Sequence, residues 1–259
     1  METFVVPRYL AFFGELTMEL FLAGEGARIA HLGCRTGYPD RQLLESIQGA
    51  SVVGFDASAA ALELARNKVA TLGDVPIEYY EARELPTEFE DGSFSHAMSL
   101  HPIGSVEDRE ALYREMYRLL YPGGQALLAL PLRGSFQELG DLLREYALKF
   151  DDGELGSAVE EAMARRHTLE TLSEEIEGSG LDDVDVEIRQ TTLSFDSGRA
   201  FIEDPVTRLL VLPEVQTWLP GVDMEKPWDY VRDAIDKYWS EGQFELSLNV
   251  GCASSRKLE

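Results

Sequence analysis

The chain has 259 residues, 44% hydrophobic and 10% aromatic, which suits one large α/β domain with a buried core and excludes general disorder. Its 47 acidic residues outnumber its 23 lysines and arginines, and the net charge of −24 argues against nucleic-acid or anionic-membrane partners, which require basic surfaces. Small-molecule or protein partners are therefore expected. The longest basic cluster is Arg165-Arg166-His167.

The N-terminal segment, residues 1–24, is apolar but carries Arg8, Glu15 and Glu19, and it lacks the basic start and cleavage site of a signal peptide. We expect an amphipathic helix that lies on the domain. No stretch reaches the roughly 18 uncharged apolar residues that a membrane span needs. The two cysteines, Cys34 and Cys252, are too few and too far apart for a disulfide framework or a zinc site, and indicate reduced thiols in a cytoplasmic protein.

The first half of the chain alternates short apolar runs with helical patterns, which indicates a parallel sheet with crossover helices. The predicted strands are 28–32, 51–55, 76–80, 94–100 and 125–130. Helices are predicted over 39–48, 59–72 and 107–120. Ser58 is expected to cap the second of these helices, and Pro122-Gly123-Gly124 to end the third.

The second half is predicted to be mainly helical and acidic. Residues 135–180 carry apolar side chains at helical spacing, and residues 199–240 read as helices with a proline-marked break at Leu212–Pro227. Alternating patterns predict a sixth strand around Val184–Ile188 and a last strand over Phe244–Cys252. No composition shift divides the chain, so residues 1–259 are expected to form a single domain.

A glycine-bearing turn follows the first strand, and the second strand ends in an acid. The turn is Gly33-Cys34-Arg35-Thr36-Gly37, and Asp56 follows Gly33 by 23 residues. This order is typical of nucleotide binding, because a helix N-terminus offers free N–H groups while the acid accepts bonds from ribose hydroxyls. The spacing is not G-x-G-x-x-G, which disfavours a nicotinamide-dependent oxidoreductase.

Four segments, taken together, resemble the class I, S-adenosylmethionine-type methyltransferases. They are IAHLGCRTGYP, VVGFDASAAALELARNK, EARELPTEFEDGSFSHAMSLHPIGSVED and REMYRLLYPGGQALLALP. The third is similar to the subgroup that methylates small molecules, and the resemblance covers roughly residues 25–132. It implies a Rossmann-like, doubly wound, seven-stranded sheet that is mostly parallel, with the last strand antiparallel. Residues 135–180 and 199–240 would form a helical cap that binds the substrate.

The resemblance also implies a binding site for S-adenosylmethionine, with S-adenosylhomocysteine as the product and a small molecule as the methyl acceptor. The methionine part of the cofactor would lie along the turn residues Gly33, Cys34, Arg35 and Gly37. Asp56 would hold the ribose hydroxyls and Ala57 would flank the adenine. Glu81 would accept a bond from the adenine amino group, with Ala82 beside it.

Leu100 and His101 would lie near the transferable methyl group. His101 is the candidate proton acceptor, because histidine titrates near neutral pH, and no metal is expected. Each role has a simpler alternative. Asp56 can serve as a helix cap, Glu81 as a solvated strand end, and His101 as a hydrogen-bonded loop residue. Cys34 is expected to be inert packing.

Three positions depart from the pattern of the family. His31 stands where the family usually has an acid that holds the cofactor's ammonium group, Arg35 replaces the middle glycine, and Ser95 replaces a frequent aspartate. The Arg35 side chain either fills the methionine pocket, points away, or pairs with the cofactor's carboxylate. The leading hypothesis is a methyltransferase acting on a small molecule. The alternative is a catalytically degenerate methyltransferase fold that serves as a binding or scaffold protein.

Overall fold

The computed structural model describes residues 1–22 and 24–258. The strands in this part of the chain form one seven-stranded sheet. Its strands are β1 (Arg28–Leu32), β2 (Ser51–Asp56), β3 (Ile77–Glu81), β4 (Phe94–Leu100), β5 (Leu120–Pro131), β6 (Asp182–Phe195) and β7 (Phe244–Arg256). Their order is β3-β2-β1-β4-β5-β7-β6. The first five strands are parallel, and β7 is antiparallel to both β5 and β6. The predicted fold class is confirmed.

The helices are α1 (Ala11–Leu20), α2 (Asp40–Ser46), α3 (Ala59–Ala70), α4 (Val106–Leu119), α5 (Gln137–Lys149), α6 (Gly153–Arg165), α7 (Leu169–Glu177), α8 (Gly198–Glu203), α9 (Leu212–Trp218) and α10 (Glu225–Tyr238). π-Helical turns at Val6–Leu10 and Thr207–Val211 lead into α1 and α9. Ser58 caps α3 as predicted, since its hydroxyl accepts a bond from the N–H of Ala61. Within the described parts of the chain, no helix is both long and apolar enough to cross a membrane.

Several predicted boundaries were wrong, two of them at proline-containing segments. β5 begins at Leu120, so Pro122-Gly123-Gly124 lies inside the first part of that strand and not in a separate turn. The break expected over Leu212–Pro227 is shorter, because Leu212–Trp218 is helical. Pro213 and Pro227 each fall in the first turn of a helix, where the missing N–H has no intrahelical acceptor to lose.

The sheet is covered on both faces, because alternate residues of each strand enter different cores. Ile29 of β1 and Met98 of β4 belong to one core, which the N-terminal segment, α5 and α10 complete. Ala30 of β1 and Ala97 of β4 belong to the other, which α4 and α7 cover. The predicted N-terminal helix is present as α1, whose Phe13 and Leu16 are buried. Ala23 and Glu259, within the predicted ranges 1–24 and 1–259, lie outside the described residues.

Candidate functional site

The turn after β1 is held in a tight, left-handed conformation. Gly33, Arg35 and Gly37 have φ angles of 70°, 50° and 77°. Glycine adopts this region freely, but an arginine there carries a backbone strain of about 1 kcal/mol. A Cβ atom at Gly37 would lie 2.0 Å from the hydroxyl oxygen of Tyr79, so packing alone requires glycine at this position.

Asp56 ties the turn to the end of β2. One carboxylate oxygen accepts a bond of 2.8 Å from the backbone N–H of Arg35, and the other accepts a bond of 2.8 Å from the backbone N–H of Ser58. Each carboxylate oxygen can accept a further bond. The side chain is partly exposed. Asp56 therefore orders the turn and retains the capacity to bind hydroxyl groups.

An open cavity of about 670 Å³ lies at the carboxyl ends of the central parallel strands. Such a volume is within the range of small-molecule sites, and this edge is where open α/β sheets bind ligands. Its lining includes five residues predicted for the cofactor site, namely Gly33, Arg35, Asp56, Ala57 and Ala82. Another part of the lining consists of Ser99 near the end of β4 and of Pro102, Ile103 and Gly104, which follow the strand.

The other predicted site residues lie outside this lining. The Cys34 thiol is buried, which raises its pKa far above the usual value and suits a packing role. The Glu81 carboxylate accepts a hydrogen bond of 2.6 Å from Arg83, and Glu81 lines a neighbouring cavity of about 620 Å³ beside β3. Leu100 is buried, and its backbone carbonyl accepts a hydrogen bond from Arg35.

The Arg35 side chain turns inward. Its guanidinium donates to the backbone carbonyls of Leu100 at 2.7 Å and His101 at 2.6 Å, directly after β4. Burial lowers the pKa of Arg35, against the raising effect of Asp56. The guanidinium therefore lies between the turn and the end of β4 and does not point away from the turn.

His31 has a buried acid as its partner. Its Nδ1 lies 2.6 Å from one carboxylate oxygen of Asp40, and the other oxygen accepts a bond of 2.8 Å from the Tyr79 hydroxyl. His31 and Asp40 side chains are 1% and 0% exposed. The acid missing at position 31 is thus present nearby on α2. Asp40 directly follows Pro39, in the first turn of a predicted helix, and nothing at that position in the sequence indicated that its side chain would be buried.

A second buried cluster lies at the end of β4, and His101 is the member of it that was predicted as a site residue. The Nε2 atom of His101 is 2.6 Å from the Glu214 carboxylate, whose other oxygen is 2.9 Å from the Arg166 guanidinium. Tyr9 packs beside the His101 ring. Glu214 and Arg166 also line a cavity of about 510 Å³, which shares Pro102, Ile103, Gly104 and Arg109 with the first cavity.

The predicted cap segments contribute to this second cavity through His167, Thr217 and Trp218. It therefore lies between the sheet and the helices that were expected to bind the substrate. Within residues 1–22 and 24–258, no group of three or more His, Cys, Asp or Glu side chains is arranged to hold a metal ion.

Comparison with known proteins supports the assignment of the fold. Residues 29–124 match the family described as a methyltransferase domain. Methyltransferase GfsG of Streptomyces halstedii is 31% identical over 124 residues, which cover 46% of this chain and 44% of the relative. Demethylmenaquinone methyltransferase of Thermus thermophilus is 31% identical over 146 residues, covering 51% of this chain and 66% of the relative. The matched part of the chain thus spans 44% and 66% of the length of these two curated relatives.

Solved structures show the same fold over nearly the whole chain. A phosphoethanolamine N-methyltransferase 2 of Haemonchus contortus, in complex with phosphomonomethylethanolamine and S-adenosylhomocysteine, is 20% identical with a TM-score of 0.57 and covers 95% of this chain and 52% of that one. The YcgJ protein of Bacillus subtilis is 15% identical with a TM-score of 0.63 and covers 96% and 99%. The matched domain, the strand order and the turn after β1 agree, and residues 29–124 are similar to the methyltransferase domain family.

Proposed function

We propose that the protein transfers a methyl group from S-adenosylmethionine to a small molecule. The observation that carries this proposal is the open cavity, in which Gly33, Asp56, Ala57 and Ala82 meet at the carboxyl ends of neighbouring strands. The curated relatives named above are methyltransferases, which supports the same reaction class. The two free cysteines are buried, and we place the protein in the reducing cytoplasm.

The residues present fit the two ends of this cofactor differently. Asp56 has free acceptor capacity for ribose hydroxyls, and Ala57 and Ala82 leave room for a flat base. At the other end, the Arg35 guanidinium fills the space beside the carbonyls of Leu100 and His101. A methionine tail therefore fits only when the Arg35 side chain leaves this position. When bound, S-adenosylmethionine supplies an electrophilic methyl group on a sulfonium centre, and the protein's part is to align the acceptor with it.

The same arginine favours a second candidate function, a binding or scaffold protein without methyl transfer. Arg35 satisfies two carbonyls that a ligand would otherwise reach, and His31 is already paired with Asp40. In this case the fold would be retained while the methionine end of the site stays closed.

The Asp56→Ala variant tests the proposed site. We expect it to weaken binding of S-adenosylhomocysteine by about 1–3 kcal/mol, or roughly tenfold to a hundredfold, through loss of charge-assisted hydrogen bonds to ribose. Isothermal titration calorimetry on variant and wild type measures the change, with NAD as a negative control ligand. Glu78→Ala is the matched control, since Glu78 lies on β3, is outside the cavity lining, and its carboxylate accepts a bond from the Tyr80 hydroxyl.

The outcomes separate the candidates. Equal affinity in wild type and Asp56→Ala would remove Asp56 from the site. Failure of wild type to bind either S-adenosylmethionine or S-adenosylhomocysteine would favour the scaffold function. Thermal unfolding of the unliganded Asp56→Ala protein shows how much of any loss comes from the bonds that Asp56 makes to the Arg35 and Ser58 backbone.

A further inference from the structure

An open cavity of about 940 Å³ lies between α10 and the connection from α5 to α6, and we call it the α10 cleft. Its lining comes from the end of α5, residues 150–152, the start of α6 and one side of α10. Among the described residues, it shares no lining residue with the cavities of about 670 Å³ and 510 Å³. The cleft has the size of a small-molecule site and is separate from the proposed site of methyl transfer.

Aromatic rings form one wall of the α10 cleft. The ring centroids of Tyr146 and Phe150 are 4.7 Å apart, and those of Tyr146 and Tyr230 are 5.5 Å apart. Phe150 and Tyr230 meet edge to face at 6.1 Å with an interplanar angle of 90°. Phe150 is 55% exposed, so part of this wall remains open to solvent. Such a wall can bury the flat apolar body of a ligand.

Lysines are concentrated in the same cleft. The chain has 5 lysines, and three of them, Lys149, Lys226 and Lys237, line the cleft and are exposed. Among the described residues, the one lysine in an ion pair is Lys68, whose Nζ lies 2.8 Å from a carboxylate oxygen of Glu2. The three cleft lysines therefore have no carboxylate partner, although the chain carries 47 acidic residues. Their charges remain available to a ligand.

Most of the acids in the lining are already engaged. The acids are Asp151, Asp152, Glu154, Asp229 and Asp233. Asp152 caps α6, because its carboxylate accepts a bond of 3.0 Å from the backbone N–H of Leu155. Asp229 and Asp233 pair with Arg232, which lies outside the lining, at 2.7 and 2.9 Å. Two acids without an ion pair thus face three such lysines, so the free charge of the lining is positive in a strongly negative protein.

The lysines also occupy the faces of the aromatic rings. The Nζ atom of Lys149 lies 4.8 Å from the Tyr230 ring centroid and 5.5 Å from that of Phe150. The Nζ atom of Lys237 lies 4.6 Å from the Tyr238 ring centroid. A cationic ligand needs such ring faces, and here the protein's own ammonium groups already cover them. An anionic ligand, by contrast, gains from rings and ammonium groups together.

Glu145 shows how a carboxylate behaves beside this cleft. It accepts a hydrogen bond of 2.6 Å from the Tyr230 hydroxyl and a second one from the Tyr238 hydroxyl. These two bonds hold the pKa of Glu145 below its usual value, and Lys237 and Lys149 act in the same direction. The groups around the cleft therefore favour a carboxylate in its ionised form.

We propose that the α10 cleft binds a small planar aromatic acid. The ring of the ligand packs against Phe150 and Tyr230, and its carboxylate pairs with the lysines of the lining. The ligand would connect the turn between α5 and α6 to α10. This site does not depend on methyl transfer, since it lies apart from the cavity that contains Asp56.

Three probes with one ring system and different charges test the class of ligand. They are naphthoate, naphthamide and naphthylmethylammonium, and isothermal titration calorimetry measures their affinities. We expect the acid to bind at least about tenfold more tightly than the neutral amide and the cation, because the lining offers free ammonium groups. Failure of naphthoate to bind, equal affinity of acid and amide, or tighter binding of the cation would overturn the proposal.

Lysine variants test the charges themselves. We expect the double variant Lys149→Met, Lys237→Met to lower the affinity for naphthoate about tenfold and to leave that for naphthamide unchanged. The double variant Lys149→Arg, Lys237→Arg keeps both charges and should keep the affinity. Lys68→Met is the matched control, since Lys68 lies outside the lining and is paired with Glu2. An equal loss in Lys68→Met and in the double Met variant would contradict the site.

NMR of lysines carrying ¹³C-methyl groups locates the bound probe. Reductive methylation keeps the positive charge, and single Lys→Arg variants assign the signals of the 5 lysines. Naphthoate should shift the signals of Lys149, Lys226 and Lys237 and leave those of Lys68 and Lys257 in place. Shifts confined to Lys68 and Lys257 would refute the location. The measurement needs no S-adenosylmethionine, so its result is independent of the proposed function.

Discussion

Arg35→Gly is expected to bind S-adenosylmethionine more tightly than wild type, by about tenfold or more. In wild type, binding must break two short hydrogen bonds from the guanidinium to the carbonyls of Leu100 and His101. Hydrogen bonds to charged groups contribute about 1.5–3 kcal/mol each, part of which the displaced arginine recovers in water. Glycine also removes the strain of a side chain at a φ of 50°. Isothermal titration calorimetry measures the difference.

Arg83→Gly is the control, because Arg83 also lines the cavity but its side chain is 76% exposed. We expect its affinity to stay near that of wild type. Lower affinity in Arg35→Gly would show that Arg35 grips the cofactor's carboxylate, and would contradict the closed site inferred here. Restoring an acid with His31→Asp is not expected to help further, since Asp40 would then face a second buried carboxylate in place of its histidine partner.

Glu214→Ala should lower the free energy of unfolding by about 3–5 kcal/mol. Removing one partner of a buried ion pair leaves the other charge uncompensated, and here Arg166 loses its carboxylate while it remains packed 4.0 Å from the Trp218 ring. Glu203→Ala is the matched control. The Glu203 side chain is 59% exposed and pairs with Arg199 one helical turn away, so a change within about 0.5 kcal/mol is expected. Urea unfolding at pH 7 measures both variants, and equal midpoints would contradict the prediction.

The stability difference between wild type and Glu214→Gln should depend on pH. Because the pKa of Glu214 is held below its ordinary value of 4.5, the charged pair contributes fully above that pH. The contribution is lost as the pH falls through the lower pKa of the folded state. The difference in free energy of unfolding between the two proteins should therefore be larger at pH 7 than at pH 4. Unfolding curves of both proteins at the two pH values measure it, and a larger difference at pH 4 would contradict this assignment.

The sequence predicted the sheet because its signals are local. Apolar runs, the turn after β1 and the capping serine each lie within a few residues of the structure they specify. The prediction was less accurate for β6, where acidic residues obscure the alternation, and β6 runs over Asp182–Phe195 instead of Val184–Ile188.

The candidate site was predictable only in part. Five of the nine residues predicted for the cofactor site line the cavity, and they belong to motifs of fixed spacing. Glu214 was not predicted, because its partner His101 is 113 positions away and nothing near Glu214 in sequence marks it for burial. The sequence identified Arg35 as a departure from the family pattern. Where its side chain lies depends on the backbone carbonyls of Leu100 and His101, which are distant in sequence.

The outer strand β6 also bears on how copies of the protein meet. It ends the sheet, is 14 residues long, and leaves its outer backbone edge without a neighbouring strand among the described residues. Such an edge is a template for pairing with another chain, which leads to aggregation. Asp182, Asp183, Asp185 and Glu187 are exposed along it, so two such edges would bring like charges together. We expect these carboxylates to oppose self-association along this edge, the longer of the two sheet edges among the described residues, and we expect salt and acid to weaken that repulsion.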